Sequence, residues 1–268
     1  MEPFRFKQFA VAHDRCAMKV GTDGVLLGAW AKVDKGDYVL DVGTGCGVIA
    51  LMLAQRGAGE VVGIDIDHDS IEQAKENVAN SPFADRVSMV EDDVCTYSRL
   101  DTGEWFLDHQ IERLLEMKRR KEDTSGFMVR YFDCIVSNPP FFSEGTFSPN
   151  SKRARARNTA FLTLPVFFEA CVRMLNPDVG KLQIIVPTRE VDKVLDAAFR
   201  FGFSMKRRTE VYTVEGKESI RTLLQFCPDG CFTSVRRHSL TLFTADGQMT
   251  KPYHKLVKDF YLDKTDEA

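Results

Sequence analysis

The stretch Y-V-L-D-V-G-T-G-C-G-V-I-A-L, residues 38–51, decides the fold. It opens with an apolar run that contains one acid, Asp41, and continues with glycines at positions 43, 45 and 47. A short apolar run bounded by glycines is typical of a buried strand, and the apolar residues 48–55 favour a helix. The stretch therefore predicts a strand, a tight turn and a helix in direct succession.

The alternation of strand and helix continues beyond this stretch. Predicted strands lie at 61–64, 87–90, 132–136 and 181–186, and predicted helices lie at 70–79, 165–175 and 190–200. This order indicates an α/β fold, with a doubly wound, mostly parallel sheet and helices on both faces. Two β-rich runs, 210–214 and 222–226, are linked by E-G-K-E and predict a C-terminal antiparallel hairpin, after which a further β-rich run occupies 240–243.

We predict a single domain, 1–268, with two additions. Residues 1–35 form a lead-in, in which a short β-ribbon precedes a buried helix in the second half of K-V-G-T-D-G-V-L-L-G-A-W, 19–30. Residues 96–131 form an insertion, in which leucine and isoleucine spacing over 107–115 predicts an amphipathic helix. The insertion is interpreted either as a solvated surface element or as an RNA-contacting arm.

Composition excludes few classes of protein. The 268 residues carry a formal net charge of −3, which neither favours nor excludes nucleic-acid binding. Seven cysteines without a C-x-x-C pair favour a reduced, cytoplasmic protein without a metal site. The N-terminus shows no signal peptide, and no apolar run is long enough to span a membrane. We expect a monomer.

The glycine loop predicts a ligand site. Its pattern is G-x-G-x-G, whereas dinucleotide binding requires G-x-G-x-x-G, and Val48 occupies the position after the third glycine. A methyl donor has no pyrophosphate, but it carries an ammonium group that Asp41 can attract. Asp65 ends the next strand, where it can accept from ribose hydroxyls, and Asp93 follows the third strand, where it can accept from an adenine amino group.

Asp92 competes with Asp93 for the adenine role, and helix capping by these acids is the structural alternative. Ligands bind at the carboxyl ends of the strands in open α/β sheets, which favours the binding interpretation. The predicted donor-binding residues are Asp41, Gly43, Gly45, Gly47, Asp65, Ile66, Asp92, Asp93 and Asn138.

The fourth strand ends in an Asn-Pro-Pro-Phe turn, made of Asn138, Pro139, Pro140 and Phe141. The prolines stiffen the turn and remove N–H donors, so that the Asn138 amide oxygen and the Pro139 carbonyl remain as acceptors. Two fixed acceptors can bind the N–H groups of an exocyclic amine and direct its lone pair towards a methyl group. Phe141 can stack on a planar substrate. The sequence thus predicts methylation of an amino nitrogen without a general base.

Five strings together resemble one known family. F-K-Q-F, K-V-G-T-D-G-V-L-L-G-A-W-A, V-S-N-P-P-F-F, R-A-R-A-R-N-T and V-K-D-F-Y-L are similar to the bacterial tRNA(Val) adenine N6-methyltransferases, over nearly the whole chain. The resemblance implies a class I methyltransferase (Rossmann-like) fold with a seven-stranded sheet. It also implies S-adenosylmethionine as donor, S-adenosylhomocysteine as product, and the adenosine beside the anticodon of a valine tRNA as substrate. The same resemblance adds Thr22 and Asp23 at the border of the donor pocket. The family commonly has His where Asn158 stands and often Tyr where Phe141 stands.

Basic clusters predict contacts with RNA phosphates, which orient an RNA without reading its sequence. The predicted residues are Arg153, Arg155, Arg157, Arg207 and Arg208, and a further cluster occupies 236–238. Other functions stay open: a protein glutamine-amide methyltransferase, an enzyme acting on ribosomal RNA or DNA, and a non-catalytic RNA-binding or assembly factor. A nicotinamide oxidoreductase is disfavoured by Val48.

Overall fold

The computed structural model describes residues 2–16, 18–98, 131–139, 162–229 and 234–262. The lead-in forms the predicted antiparallel ribbon, β1 (Phe4–Arg5) and β2 (Ala10–Val11), followed by the helix α1 (Thr22–Trp30). Helix α1 is buried along most of its length, because seven of its nine residues lie in the core. The lead-in is thus packed into the protein.

Five parallel strands form the centre of the sheet. In chain order they are β3 (Tyr38–Val42), β4 (Glu60–Asp65), β5 (Val87–Glu91), β6 (Cys134–Ser137) and β7 (Lys181–Pro187). Their spatial order is β5-β4-β3-β6-β7. The chain therefore adds β4 and β5 on one side of β3, and then returns to add β6 and β7 on the other side. This reversal brings the carboxyl ends of β3 and β6 side by side, where open sheets bind ligands.

Helices cover both faces of the sheet, as predicted. The connecting helices are α2 (Val48–Gln55), α3 (His68–Ala79), α4 (Val94–Tyr97), α5 (Leu164–Met174), α6 (Val191–Arg200) and α7 (Lys251–Val257). A 3₁₀ turn at Thr188–Glu190 precedes α6. One apolar core packs α1, α2 and α7 on one face, and a second core packs α5 and α6 on the other.

Within the described residues the sheet has eight strands, one more than the seven that the resemblance implies, and the class of fold is confirmed. The predicted hairpin is present as β8 (Phe203–Val214) and β9 (Ser219–Pro228), and β9 pairs antiparallel with both β7 and β8. The eighth strand, β10 (Arg236–Phe243), lies parallel to β8 at the outer edge. Leu240 and Leu242 bury against the first core, which holds β10 on the sheet although its first half is polar.

The predicted amphipathic helix at 107–115 and most of the predicted 96–131 insertion lie outside the described residues. No helix within the described ranges is long and apolar enough to cross a membrane. In the same ranges, no group of three or more His, Cys, Asp or Glu residues could hold a metal ion.

The side chain of Arg56, at the C-terminus of α2, caps the C-terminus of α1. Its Nη1 donates to the carbonyls of Gly28, Ala29 and Ala31 at 2.9, 2.8 and 2.6 Å, which are otherwise open at a helix C-terminus. We expect Arg56→Ala to lower the free energy of unfolding by about 2 kcal/mol, since charged hydrogen bonds contribute roughly 1.5–3 kcal/mol each and partly overlap here. Urea denaturation measures this change, and an equal loss in the exposed control Arg189→Ala would contradict it.

Candidate active site at the carboxyl ends of the central strands

The glycine loop folds over the carboxyl end of β3. Gly43, Gly45 and Gly47 have φ values of 70°, 54° and 81°, a region that side chains with a Cβ rarely occupy. The N–H groups of Gly43 and Thr44 both donate to the Ile64 carbonyl, at 2.9 and 3.0 Å. A Cβ at Gly43 or Gly45 would meet no described atom within 4 Å. The loop therefore presents open backbone where a ligand can approach closely.

Asp65 fixes this loop from the end of β4. Its Oδ2 accepts from the Gly45 N–H at 2.9 Å and its Oδ1 accepts from the Asp67 N–H at 3.0 Å. Burial raises the pKa of Asp65 above its ordinary value. Ile66 follows with 43 % of its surface exposed, beside the loop. A carboxylate and an exposed apolar side chain thus stand together at the carboxyl end of β4.

Asp41 lies deeper than the sequence suggested. It is fully buried, its Oδ2 accepts from the Thr44 hydroxyl at 2.7 Å, and its Oδ1 has no hydrogen-bond partner among the described atoms. Burial raises the pKa of Asp41 to about 7. A buried carboxylate oxygen without a donor is costly, and a ligand ammonium would satisfy it.

The two acids after β5 have different roles. Asp93 caps α4, because its Oδ1 accepts from the Cys95 N–H at 2.8 Å, so the capping alternative holds for this residue. Asp92 accepts from the Asp93 N–H through Oδ1, while its buried Oδ2 has no partner in the described part of the chain. Burial raises the pKa of Asp92. The unpaired, buried Oδ2 makes Asp92 a candidate acceptor for an amino group beside Asp93, whose cap uses only Oδ1.

Asn138 and Pro139 follow β6 at the same edge. Ser137 pairs with Val42 across the sheet and donates its hydroxyl to the Val42 carbonyl at 2.8 Å. Asn138 and Gly43 are the residues that follow this pair, so the turn begins beside the glycine loop. Asn138 is partly buried and Pro139 is buried. Pro140 and Phe141 lie outside the described residues.

The first turn of α1 lies next to α2, the helix that follows the glycine loop. A Cβ at Gly24 would contact Val48 at 3.5 Å, so Thr22 and Asp23 stand near the start of α2. Thr22 is exposed. Asp23 is held by Arg221 on β9, whose Nε donates to its Oδ2 at 2.7 Å. This ion pair ties the lead-in helix to the hairpin.

The predicted RNA contacts separate into three groups. Arg153, Arg155 and Arg157 lie outside the described residues. Arg207 faces inward: it stacks 3.5 Å from the Trp30 ring centroid and donates to the Trp30 carbonyl at 3.0 Å. Burial, with Arg56 and Arg236 nearby, lowers its pKa to about 10. This placement corrects the expectation that Arg207 contacts phosphate, because its position on β8 turns it towards α1. Arg208 faces the opposite side and bonds to Glu210 at 2.7 Å.

Comparisons with known proteins show which family the chain belongs to. A methyltransferase-domain family model matches residues 39–109. A protein of Phocaeicola vulgatus is 38 % identical over 262 residues, covering 97 % of both chains. One from Bacteroides thetaiotaomicron is 37 % identical, again over 97 % of each chain. Both are named tRNA1(Val) (adenine(37)-N6)-methyltransferase. The chain belongs to this family.

The resemblance seen in the sequence is thereby confirmed, and the protein is a methyltransferase. A solved structure of a predicted O-methyltransferase from Agrobacterium tumefaciens has 17 % sequence identity and a TM-score of 0.58, covering 89 % of this chain and 96 % of its own. At that identity the likeness shows the shared fold alone.

Asn77 is a site residue that sequence reasoning missed. Its side chain, 4 % exposed on α3, accepts from the Ala12 N–H at 2.9 Å and donates to the Ala12 and Cys46 carbonyls at 2.8 and 2.9 Å. It therefore joins the lead-in of this methyltransferase to its glycine loop. Ser70, Gln73 and Asn77 are polar, buried and spaced as one face of a helix, which was a readable signal. The sequence did not show that the lead-in covers that face.

We expect Asn77→Ala to raise the Kd for S-adenosylmethionine about tenfold, because the glycine loop loses a fixed contact worth about 1 kcal/mol and a buried carbonyl is left unpaired. Isothermal titration measures the change. Asn80→Ala, at the exposed end of the same helix, is the matched control and should bind as the wild type does. Equal affinities for all three proteins would show that Asn77 has no influence on the loop.

Proposed function

We propose that this methyltransferase transfers the methyl group of S-adenosylmethionine to N6 of adenosine 37 in tRNA1(Val), leaving S-adenosylhomocysteine. The main support for the proposal is the position of the Asn138–Pro139 turn. The turn starts beside Gly43 of the glycine loop, because Ser137 and Val42, the residues before Asn138 and Gly43, are paired in the sheet. Relatives that match 97 % of the chain carry the name of this reaction, which supports the choice of substrate.

The residues present fit the donor. Asp41 offers a buried, unpaired oxygen to its ammonium group, and Asp65 offers carboxylate oxygens to its ribose. Ile66 provides an exposed apolar surface for its adenine, with Asp92 as an acceptor for the adenine amino group. When bound, S-adenosylmethionine supplies a methyl group activated by a positively charged sulfur.

The chain's own contribution is to bind and orient the amine. The Asn138 amide oxygen and the Pro139 carbonyl accept hydrogen bonds from the two N–H groups of the adenine N6. These hydrogen bonds favour a tetrahedral nitrogen with its lone pair free. Phe141 stacks on the base. Fixed dipoles that meet developing charge need no reorganisation, so alignment and electrostatics provide most of the rate. The proton leaves to solvent after transfer, and no general base is required.

The substrate base must reach this turn from a folded RNA. A stacked base is unstacked at a cost of a few kcal/mol, which phosphate contacts elsewhere on the protein can offset. Arg153, Arg155 and Arg157 follow the turn by about a dozen residues in the sequence and are proposed to supply such contacts.

A labelled-donor experiment tests the proposal. Radiolabelled S-adenosylmethionine is supplied with tRNA1(Val), the same tRNA carrying guanosine at position 37, ribosomal RNA and bulk cell protein. Label is expected in the first RNA alone, as N6-methyladenosine after nuclease digestion. Label in protein would instead indicate glutamine-amide methylation, and label in ribosomal RNA would indicate a different adenine. Label in the position-37 variant would place the target elsewhere in the tRNA.

A further inference from the structure

The outer edge of the sheet concentrates positive charge. On β10, Arg236, Arg237, His238 and Ser239 are exposed, and Arg237 lies directly opposite Arg208 of β8. Together with Arg208 and Glu210, these residues are called the β8–β10 edge. Like charges directly opposite each other on neighbouring strands are destabilising. The pairing of Arg208 with Arg237 therefore costs stability unless an anion shares both charges.

Acids in the described part of the chain offset this charge only in part. Glu210 pairs with Arg208 at 2.7 Å, and its pKa is lowered by a hydrogen bond from Tyr212 and by the charges of Arg208 and Arg237. Within the described ranges, no ion pair involves Arg236 or Arg237. The Nε of Arg208 is buried and has no described partner. The edge thus retains an excess of positive charge and an unused donor.

The edge is also concave. Arg208, Glu210, Arg237, His238 and Ser239 line an open depression of about 530 Å³. Charged residues on an edge strand often serve only to block pairing with another strand. That role accounts for Arg236 and Arg237 on β10, but it does not account for Arg208, which belongs to the inner strand β8 and opens into the same depression.

The register places the edge level with the catalytic turn. One row of paired residues crosses the sheet from β3 to β10. In order, it consists of Val42, Ser137, Ile184, Leu224, Arg208 and Arg237. Ser137 is the residue before Asn138. Because adjacent strands lie about 4.8 Å apart, Arg237 stands roughly 19 Å from Ser137 along this row.

We propose that the β8–β10 edge binds the phosphate backbone of the tRNA substrate, away from the nucleotide held at Asn138. This proposal rests on the proposed function. A tRNA carries one phosphate per nucleotide, so backbone phosphates lie at this distance from any base in its folded body. Guanidinium groups bind phosphate oxygens in pairs, and such contacts set orientation without reading sequence. The edge orients the RNA so that the target adenosine reaches the turn.

The test compares charge variants of the full chain. The variant Arg237→Gln is expected to raise the Kd for tRNA1(Val) about fivefold at 0.1 M salt, because Arg237 lines the depression together with Arg208. It should also reduce the slope of log K against log salt by roughly 0.7–0.9, the value for one lost phosphate contact. The control Lys35→Gln makes the same change of charge at another exposed position and should leave both quantities unchanged.

A third variant gives an effect of opposite sign. Glu210→Gln keeps the hydrogen bond to Tyr212 but removes the negative charge from the depression, so tRNA affinity is expected to rise about threefold. Damage to the fold cannot increase affinity in this way. The Kd for S-adenosylmethionine should stay unchanged in all variants.

The outcomes separate this proposal from the proposed function. Wild-type methylation of tRNA together with unchanged tRNA affinity in both edge variants would overturn the β8–β10 edge as a binding surface. An equal loss in the lysine control would overturn it as well. Binding of tRNA that depends on Arg237, without any methylation by the wild type, would support the surface and overturn the function.

Discussion

Replacing Asn138 with alanine is expected to lower the rate of tRNA methylation about 1000-fold, with the Kd for S-adenosylmethionine changed by less than about tenfold. A preorganised acceptor or donor at the reacting group contributes roughly 100- to 1000-fold to the rate. Here Asn138 also aligns the amine, because Pro139 fixes its backbone, so the loss should lie at the upper end.

The effect should appear in kcat when tRNA and donor are both saturating. Asn138 is partly buried at the end of β6 and is not part of either apolar core, so the variant should fold. Single-turnover kinetics with labelled donor measure the chemical step directly. Equal melting temperatures of variant and wild type confirm an intact fold.

Asn138→Asp is the conservative partner of this variant. It retains an acceptor oxygen at the same place, and it is expected to keep more activity than the alanine variant. A loss in Asn138→Ala that is smaller than tenfold would exclude the amide oxygen as the main acceptor. Identical losses in the two variants would show that the amide N–H groups matter instead.

The sequence predicted most of this architecture because its signals are local. Short apolar runs that alternate with helical patterns located β3 to β7, and the E-G-K-E link located the β8–β9 hairpin. The lower accuracy at β10 has a physical cause. Its first half is exposed and polar at the sheet edge, so only Leu240 to Phe243 carried an apolar signal.

The sequence was weaker on the direction in which polar side chains point. Arg207 and Arg208 are neighbours in a basic cluster, but alternation on β8 sends Arg207 to Trp30 and Arg208 to Glu210. Asp92 and Asp93 likewise differ in their bonds, since only Asp93 caps α4. These distinctions depend on which element lies opposite, which is a property of the tertiary structure.

The Asp41→Asn variant is expected to weaken S-adenosylmethionine binding about 100-fold at pH 8, while making the donor-free protein more stable. A hydrogen bond between charged groups contributes about 1.5–3 kcal/mol, and Asp41 Oδ1 is the buried, unpaired oxygen available to the donor ammonium. Asparagine keeps an acceptor for the Thr44 hydroxyl but loses the charge.

The stability gain follows from the pKa. Burial, with a further contribution from Asp65, raises the pKa of Asp41 to about 7, whereas an unfolded aspartate titrates near 3.9. Between these values the folded protein holds a proton that the unfolded chain has released. The free energy of unfolding therefore falls as pH rises from about 4 to 7, by up to about 4 kcal/mol, and levels off above. Asp41→Asn removes this loss, offset by about 1–3 kcal/mol for its own buried amide.

Urea denaturation of the donor-free proteins from pH 5 to pH 8 measures this effect. The free energy of unfolding of Asp41→Asn minus that of the wild type should increase with pH. Asp85→Asn, a change at an exposed acid, should show the same pH dependence as the wild type. Asp65 is common to all three proteins, so the part of its raised pKa that comes from its own burial cancels in the comparison.

Donor binding should depend on pH in the opposite sense. A cationic ammonium favours the ionised carboxylate, so wild-type affinity is expected to rise from pH 5 to pH 8 and binding near pH 7 should release a proton. Titration calorimetry in buffers of different ionisation enthalpy counts that proton, and the variant should release fewer. If wild type and Asp41→Asn gave the same affinity at pH 8, Asp41 would not face the ammonium, and its buried charge would serve the Thr44 turn alone.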